Sequence, residues 1–223
     1  GQIDRTLSRQ IQAGVVCGIA GYANPLGVPN LAGVTYFDES FNDNCLVNVV
    51  CLGAIREDEI IHSFVPPGAA GLPDRPETGW DFIIVGKPTD QSGMGGAAFA
   101  SIELKEEDKE ANKGAVQEPN PFLERHLAES TYNLFKKLSA SGQLDKVSFK
   151  DMGAGGNVCA TVEQVEPAGL GADIDLALVH TAYPGLPPAV IACAETQERL
   201  CWVCDPSLTQ MILDHYNKEW DLP

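Results

Sequence analysis

The sequence predicts an α/β fold: a mixed β-sheet sandwiched with helices, with α+β elements toward the N-terminal end. Three observations carry that prediction. Segments with apolar residues at helical spacing alternate with short, β-branched and aromatic runs. Glycine, proline and asparagine fall between these segments rather than within them. The 223 residues are 44% hydrophobic and 21% charged, which suffices to bury a core in one large domain, or in one domain and part of a neighbour.

Residues 4–23 read as a helix, because Leu7, Ile11, Val15 and Ile19 recur four apart, and Asn24-Pro25 is its expected stop. Residues 31–37 and 46–55 are rich in Val and aromatics and read as strands joined by a polar turn at 38–44. The proline-rich stretch 65–79 reads as a loop, 80–85 as a buried strand, and 91–96 as a glycine loop. The dense charges of 105–113 read as a solvated face. The clearest helix spans 121–140. Asn120 is its N-cap, Pro121 its first residue, Leu123, Leu127, Leu134 and Leu138 its stripe, and Gly142 its end. Beyond it the pattern predicts strands at 147–149, 172–178 and 199–203, and helices at 158–166, 188–194 and 207–217.

Fifteen Lys and Arg against 31 Asp and Glu leave a net charge of −16, a balance that argues against nucleic-acid and anionic-lipid partners. A phosphorylated ligand would then need Mg²⁺ bridges and backbone N–H cradles to offset repulsion. No apolar run approaches the ~20 residues of a membrane span. The start, Gly1-Gln2-Ile3-Asp4, has neither a basic n-region nor Met and reads as a cut through a longer protein. Seven cysteines, an odd and scattered number, fit buried, reduced thiols in a cytoplasm. Cys201-Trp202-Val203-Cys204 has CxxC spacing, but it lies in an apolar strand and lacks a second ligand pair, so it too reads as core.

Lys150-Asp151-Met152-Gly153-Ala154-Gly155-Gly156 brings a carboxylate to a strand end and then a glycine loop that opens a helix. That pattern suits Mg²⁺–phosphate recognition, and equally suits a capped turn whose glycines only supply positive φ. Glu195-Thr196-Gln197-Glu198-Arg199 is a polar cluster between an apolar helix and an apolar strand, and alone it reads as a connection. Gln117, ahead of the 121–140 helix, offers both donor and acceptor, yet alone reads as a turn residue. Residues 93–98 satisfy G-x-G-x-x-A, but no βαβ unit follows, which argues against a dinucleotide site. His62, His126, His180 and His215 share no ligand spacing, and no nucleophile elbow, Walker loop or HExxH occurs.

Taken in order, Gly27-Val28-Pro29 with Tyr36-Phe37, Leu46-Val47-Asn48-Val49, the glycine loop 92–101, Val116-Gln117 with Pro119 and Pro121-Phe122, DMGAGG at 151–156 and ETQERL at 195–200 form a series. That series resembles the synthetase subunit of the phosphoribosylformylglycinamidine synthase family, in the aminoimidazole ribonucleotide synthetase superfamily. The resemblance implies that 1–58 ends an N-type domain and that 59–223 is a C-type α/β domain without its last strand. It implies an ATP-dependent ligase of purine biosynthesis in the cytoplasm, which phosphorylates the amide oxygen of formylglycinamide ribonucleotide and displaces the phosphate with glutamine-derived ammonia. It implies Asp151 as a Mg²⁺ ligand, and Gln117, Glu195, Thr196 and Gln197 as substrate contacts, with Thr196 keeping the hydroxyl of the family's Ser. Its implied partners are the ribonucleotide, the remainder of the synthetase chain, a glutaminase subunit or domain and a small accessory subunit, with neither nucleic acid nor membrane.

Val34 after Gly33, and Gly95 where the family carries His, mark a divergent subgroup. The family's catalytic His and its His-Asn-His-Pro-Ser motif have no counterpart, so no catalytic residue is assigned, most of the ATP site falls elsewhere, and the chain is expected to be inactive alone. Two alternatives stay open at this point. One is another ATP-using member of the superfamily, such as a selenophosphate synthetase or thiamine-phosphate kinase relative. The other is a degenerate, non-catalytic binding or assembly domain.

Overall fold

A computed structural model describes residues 5–41, 45–66, 79–99 and 113–223. Its centre is a three-stranded sheet in the order β1-β3-β2, formed by Asp81–Gly86 (β1), Val147–Asp151 (β2) and Arg199–Cys204 (β3). Both outer strands pair antiparallel with β3, which is buried along its whole length. One isolated parallel bridge, Thr89 to Thr181, lies outside the strands.

Alternation along β3 explains the layers, since successive side chains of a strand point to opposite faces. Leu200, Trp202 and Cys204 enter one cluster, while Cys201 and Val203 pack on the other side. On the first face lie α3 (Pro121–Ala140) and α6 (Pro206–Asp214), through Leu127, Leu134, Leu138, Leu208 and Ile212. The Trp202 ring sits 4.7 Å from Phe149 and 5.6 Å from Phe135, and its indole N–H donates to the Tyr216 hydroxyl at 3.0 Å. Tyr216 also meets Thr131 Oγ1 at 2.9 Å, so the polar atoms of this apolar layer are partnered. On the opposite face α4 (Gly156–Val165) presents Ala160 and Val165 to Cys201 and Val203. Burial in these two layers pushes the thiols of Cys201 and Cys204 up to about 12 and about 11, as expected of inert core cysteines. Cys17, Cys45, Cys51 and Cys193 are exposed, contrary to the reading of most cysteines as buried.

The 121–140 helix forms as its caps require: Asn120 Oδ1 accepts from Leu123 N at 3.0 Å, and Gly142 follows with φ 65°. The N-terminal helix α1 (Arg5–Leu26) runs through Pro25 instead of stopping there. A proline in the last turn forfeits a single bond, and the helix closes where Gly27 takes φ 73° and Val28 N reaches Ala23 O at 3.2 Å. Two short helices, α2 (Gly96–Phe99) and α5 (Pro188–Cys193), complete the α-helices among the described residues.

Three expected strands are not strands. Residues 31–37 and 46–55 form no strand and pair with no other strand among the described residues, and Leu31, Val34, Tyr36, Val50 and Leu52 are exposed. Their β-branched and aromatic content favours extended backbone, but a strand also needs a partner for its N–H and C=O groups. Residues 172–178 instead hold a 3₁₀ turn, because Asp175 accepts from Ala177 N at 2.9 Å and offers the backbone a local alternative. The expected loop at 65–79 and charge run at 105–113 fall largely outside the described residues. Among those described, no helix is long and apolar enough to cross a membrane.

Candidate functional site

Three loops leave the sheet and its flanking helices and meet at one carboxylate. The polar run before β3 carries Glu195, which is only 4% exposed. Its Oε1 accepts from Gly155 N at 3.2 Å, at the start of α4, and its Oε2 from Ala97 N at 2.9 Å, in the first turn of α2. A buried carboxylate is tolerated because ionised oxygens that accept backbone N–H bonds gain strong, charge-assisted contacts. The approach is close. A Cβ on Gly96 would lie 2.9 Å from Glu195 Oε2, and one on Gly156, which has φ +58°, would lie 2.4 Å from Ala194 O. Glycine is therefore a packing requirement at both positions, and at Gly156 a conformational one as well.

The glycine loop at 92–96 is sewn to the segment that carries Gln117. Gly93 N donates to Val116 O at 3.2 Å and Met94 N to Gly114 O at 3.0 Å. Gln117 itself is exposed, beside Gly93 and Gly96. Thr196 is fully buried, and its hydroxyl donates to Asp90 Oδ1 at 3.0 Å while accepting from Asp90 N at 3.1 Å. Burial works against ionisation of Asp90, yet the Ser92 and Thr196 bonds, with Lys87 3.5 Å away, hold its carboxyl below the usual range. Gln197 is half-buried and donates to Glu195 O at 3.1 Å.

Asp151 ends β2 and is exposed, and the next amide, Met152 N, donates to Arg199 O at 3.0 Å. Among the described residues no group of three or more His, Cys, Asp or Glu is arranged to hold a metal ion. Asp151 offers an exposed carboxylate beside the glycine loop. That fits Mg²⁺, which commonly takes one or two carboxylates and completes its shell with water and phosphate oxygens, better than it fits an all-protein cage.

Sequence reasoning missed the residues that hold these loops. The sequence marks Arg199 as a member of the polar 195–199 cluster and as the first residue of a strand, with no role of its own, but the residue is 2% exposed and its guanidinium binds both Thr196 O and Ala194 O. Glu198 takes a left-handed φ of 54° and accepts from Tyr22 OH and Asn120 N, each at 2.9 Å, while its Oε2 is buried with no hydrogen-bond partner among the described residues. Burial first, then the charges of Glu198 and Asp151, raises Glu124 nearby. The signal that could have found them is the polar density of ETQER directly before an all-apolar strand: at that position a polar run is more easily buried than exposed.

A sheet backed by helices on both faces, with glycine loops converging on a buried carboxylate, defines an α/β domain. The family described as AIR synthase related protein, C-terminal domain, matches residues 81–219, and the chain belongs to it. A phosphoribosylformylglycinamidine synthase subunit PurL from Methanothrix thermoacetophila is 47% identical over 215 residues, 96% of this chain and 27% of the relative. The structure of T. maritima PurL complexed with FGAR superposes with a TM-score of 0.76 at 32% identity, covering 94% of this chain and 32% of that one. The structure of PurLQS from Thermotoga maritima gives a TM-score of 0.62 at 25% identity, covering 94% and 30%. The chain therefore spans about a quarter to a third of the length of the relatives it matches.

Proposed function

We propose that this chain is the substrate-loop portion of a phosphoribosylformylglycinamidine synthase synthetase, acting with the rest of that polypeptide, a glutaminase and a small accessory subunit. Residues 1–58 would close an N-type domain, and 59–223 would form the C-type domain. The observation that carries this reading is the meeting of the 92–97, 151–156 and 194–197 loops on Glu195, with Gln117 alongside. The likeness to a PurL complexed with FGAR supports formylglycinamide ribonucleotide as the ligand.

In this reading Gln117 and Gln197 contact the ribonucleotide directly, since both keep amide groups at or near the surface. Glu195 and Thr196 belong to the same loop, and their side chains are already engaged, with backbone amides and with Asp90. Their part is to hold the loop against the glycine turns, so that its backbone and Gln197 meet the ligand in one geometry. Asp151 would hold Mg²⁺, which supplies neutralisation of phosphate charge when bound. An acidic chain of net charge −16 makes that neutralisation necessary for a phosphorylated ligand. ATP would bind mainly through residues outside this chain, and the setting would be the cytoplasm.

The test is calorimetric titration of the complete synthetase subunit with formylglycinamide ribonucleotide, with and without Mg²⁺. Gln117→Ala should weaken ribonucleotide binding about tenfold, the loss of one or two ligand hydrogen bonds. Asp151→Ala should abolish the dependence of binding on Mg²⁺. Absence of ribonucleotide binding by the unmodified subunit would overturn the proposal.

A further inference from the structure

Arg199 stands where the strand hands the chain to two of the three loops. Its carbonyl accepts from Met152 N at 3.0 Å, which ties the start of the 151–156 loop to the start of β3. Its side chain turns the other way, into the 194–197 loop. Nε donates to Thr196 O at 2.9 Å and Nη2 to Ala194 O at 2.7 Å, the two carbonyls that flank Glu195. Nη1 donates to Thr89 Oγ1 at 2.8 Å and, at 3.4 Å, to Asn157 Oδ1. Asn157 is turned toward it by its own Nδ2 bond to Ile191 O at 2.5 Å. Thr89 is anchored in turn by the bonds Thr89 N to His180 O and Ala182 N to Thr89 O, both 2.9 Å.

The chemistry of this arrangement is unusual for a residue kept only for stability. The cation is buried, yet each of these acceptors is a neutral carbonyl, hydroxyl or amide, and no carboxylate bonds to it. Asp90 supplies an opposing charge nearby, but burial works against the cation more strongly than Asp90 favours it, and an apolar side chain at this strand end would avoid that cost. What only a planar, forked donor can do is hold two carbonyls two residues apart while bracing against a separate segment.

Resting on the functional reading above, we infer that Arg199 is a positioning residue for the ribonucleotide site: its buried guanidinium fixes the carbonyls on either side of Glu195, and so aims the Glu195 carboxylate at Gly155 N and Ala97 N. The 92–97 and 151–156 loops thereby take their relative position from one side chain that touches neither ligand nor metal.

The test uses the complete synthetase subunit carrying Arg199→Lys, which keeps the charge and loses the fork. Amide hydrogen exchange at Ala97 and Gly155 should quicken about tenfold relative to the unmodified subunit, corresponding to loss of about one hydrogen bond's worth of protection. The β1–β3 ladder amides of Trp202 and Ile83 should stay unchanged. In the ammonia-dependent reaction, KM for the ribonucleotide should rise about tenfold with KM for ATP unaltered. Thr89→Val, which leaves the arginine and removes one acceptor, should move the same readouts in the same direction by less, and it decides the matter if the lysine variant fails to fold. Unchanged exchange at Ala97 and Gly155, or equal quickening throughout the sheet, would overturn the inference. Unmodified subunit that neither binds nor converts the ribonucleotide would instead overturn the functional reading, while the exchange comparison still decides the role of Arg199.

Discussion

Gly156→Ala is the sharpest test of how the loops are packed. Gly156 opens α4 with φ +58°, a conformation that costs an L-residue about 1–2 kcal/mol. The added Cβ would sit 2.4 Å from Ala194 O and 2.9 Å from the Cys193 carbonyl carbon, both backbone atoms that cannot rotate aside. Opening that contact means moving α4 away from the 193–195 segment, an overpacking strain of about 1–3 kcal/mol. The sum is a loss of about 2–5 kcal/mol, read as a lower midpoint in urea denaturation followed by tryptophan fluorescence. Gly153→Ala is the internal control: its φ is not in the left-handed region, and its Cβ would meet only Asp151 Oδ2, at 3.8 Å. It should change stability by no more than about 0.5 kcal/mol. Coincident midpoints for Gly156→Ala, Gly153→Ala and the unmodified protein would refute the close approach of α4 to the Glu195 loop.

Tyr216→Phe should cost about 1–3 kcal/mol in the same assay, because it leaves the buried Trp202 indole N–H without its acceptor. Asp90→Asn should destabilise at neutral pH, and the gap should close in acid. The folded-state pKa of Asp90 is depressed, so its stabilisation is complete above the unfolded carboxylate pKa and is lost as pH falls through the lower folded value. A gap that persisted once both forms are protonated, below the ordinary carboxylate range, would contradict this. Thiol labelling of the native protein at pH 8 should modify Cys17 and Cys193 quickly and leave Cys201 and Cys204 intact until unfolding, as mass spectrometry of the labelled peptides can show.

Elements whose signals are local were legible in the sequence, and elements defined by a partner were not. The 121–140 helix was readable because Asn120, Pro121, its leucine stripe and Gly142 are all within one turn of the feature they specify. Residues 31–37 and 46–55 carry as strong a β signal, but pairing depends on an edge elsewhere, and no described edge meets them. The candidate site divides the same way. Asp151, Gln117 and the Glu195 loop were singled out because their residue types and order resemble a family. The structure brings the 92–97, 151–156 and 194–197 segments together, and shows Glu195 and Thr196 already bonded within the protein.

By itself the sequence determined the three strands of the sheet and the helices that flank them, the acidic balance, the buried character of the Cys201–Cys204 strand and the membership that ordered motifs imply. Those properties reside in composition, in period and in contiguous residues. Only the tertiary structure decided that β3 lies in the middle of the sheet, that Glu195 joins two glycine loops, and that Arg199 and Glu198 are buried polar anchors. The reason is physical. A buried charged group is tolerable only when its partners are already in place, and those partners lie at Thr89, Asn157, Asn120 and Tyr22, between 42 and 176 residues away in the chain.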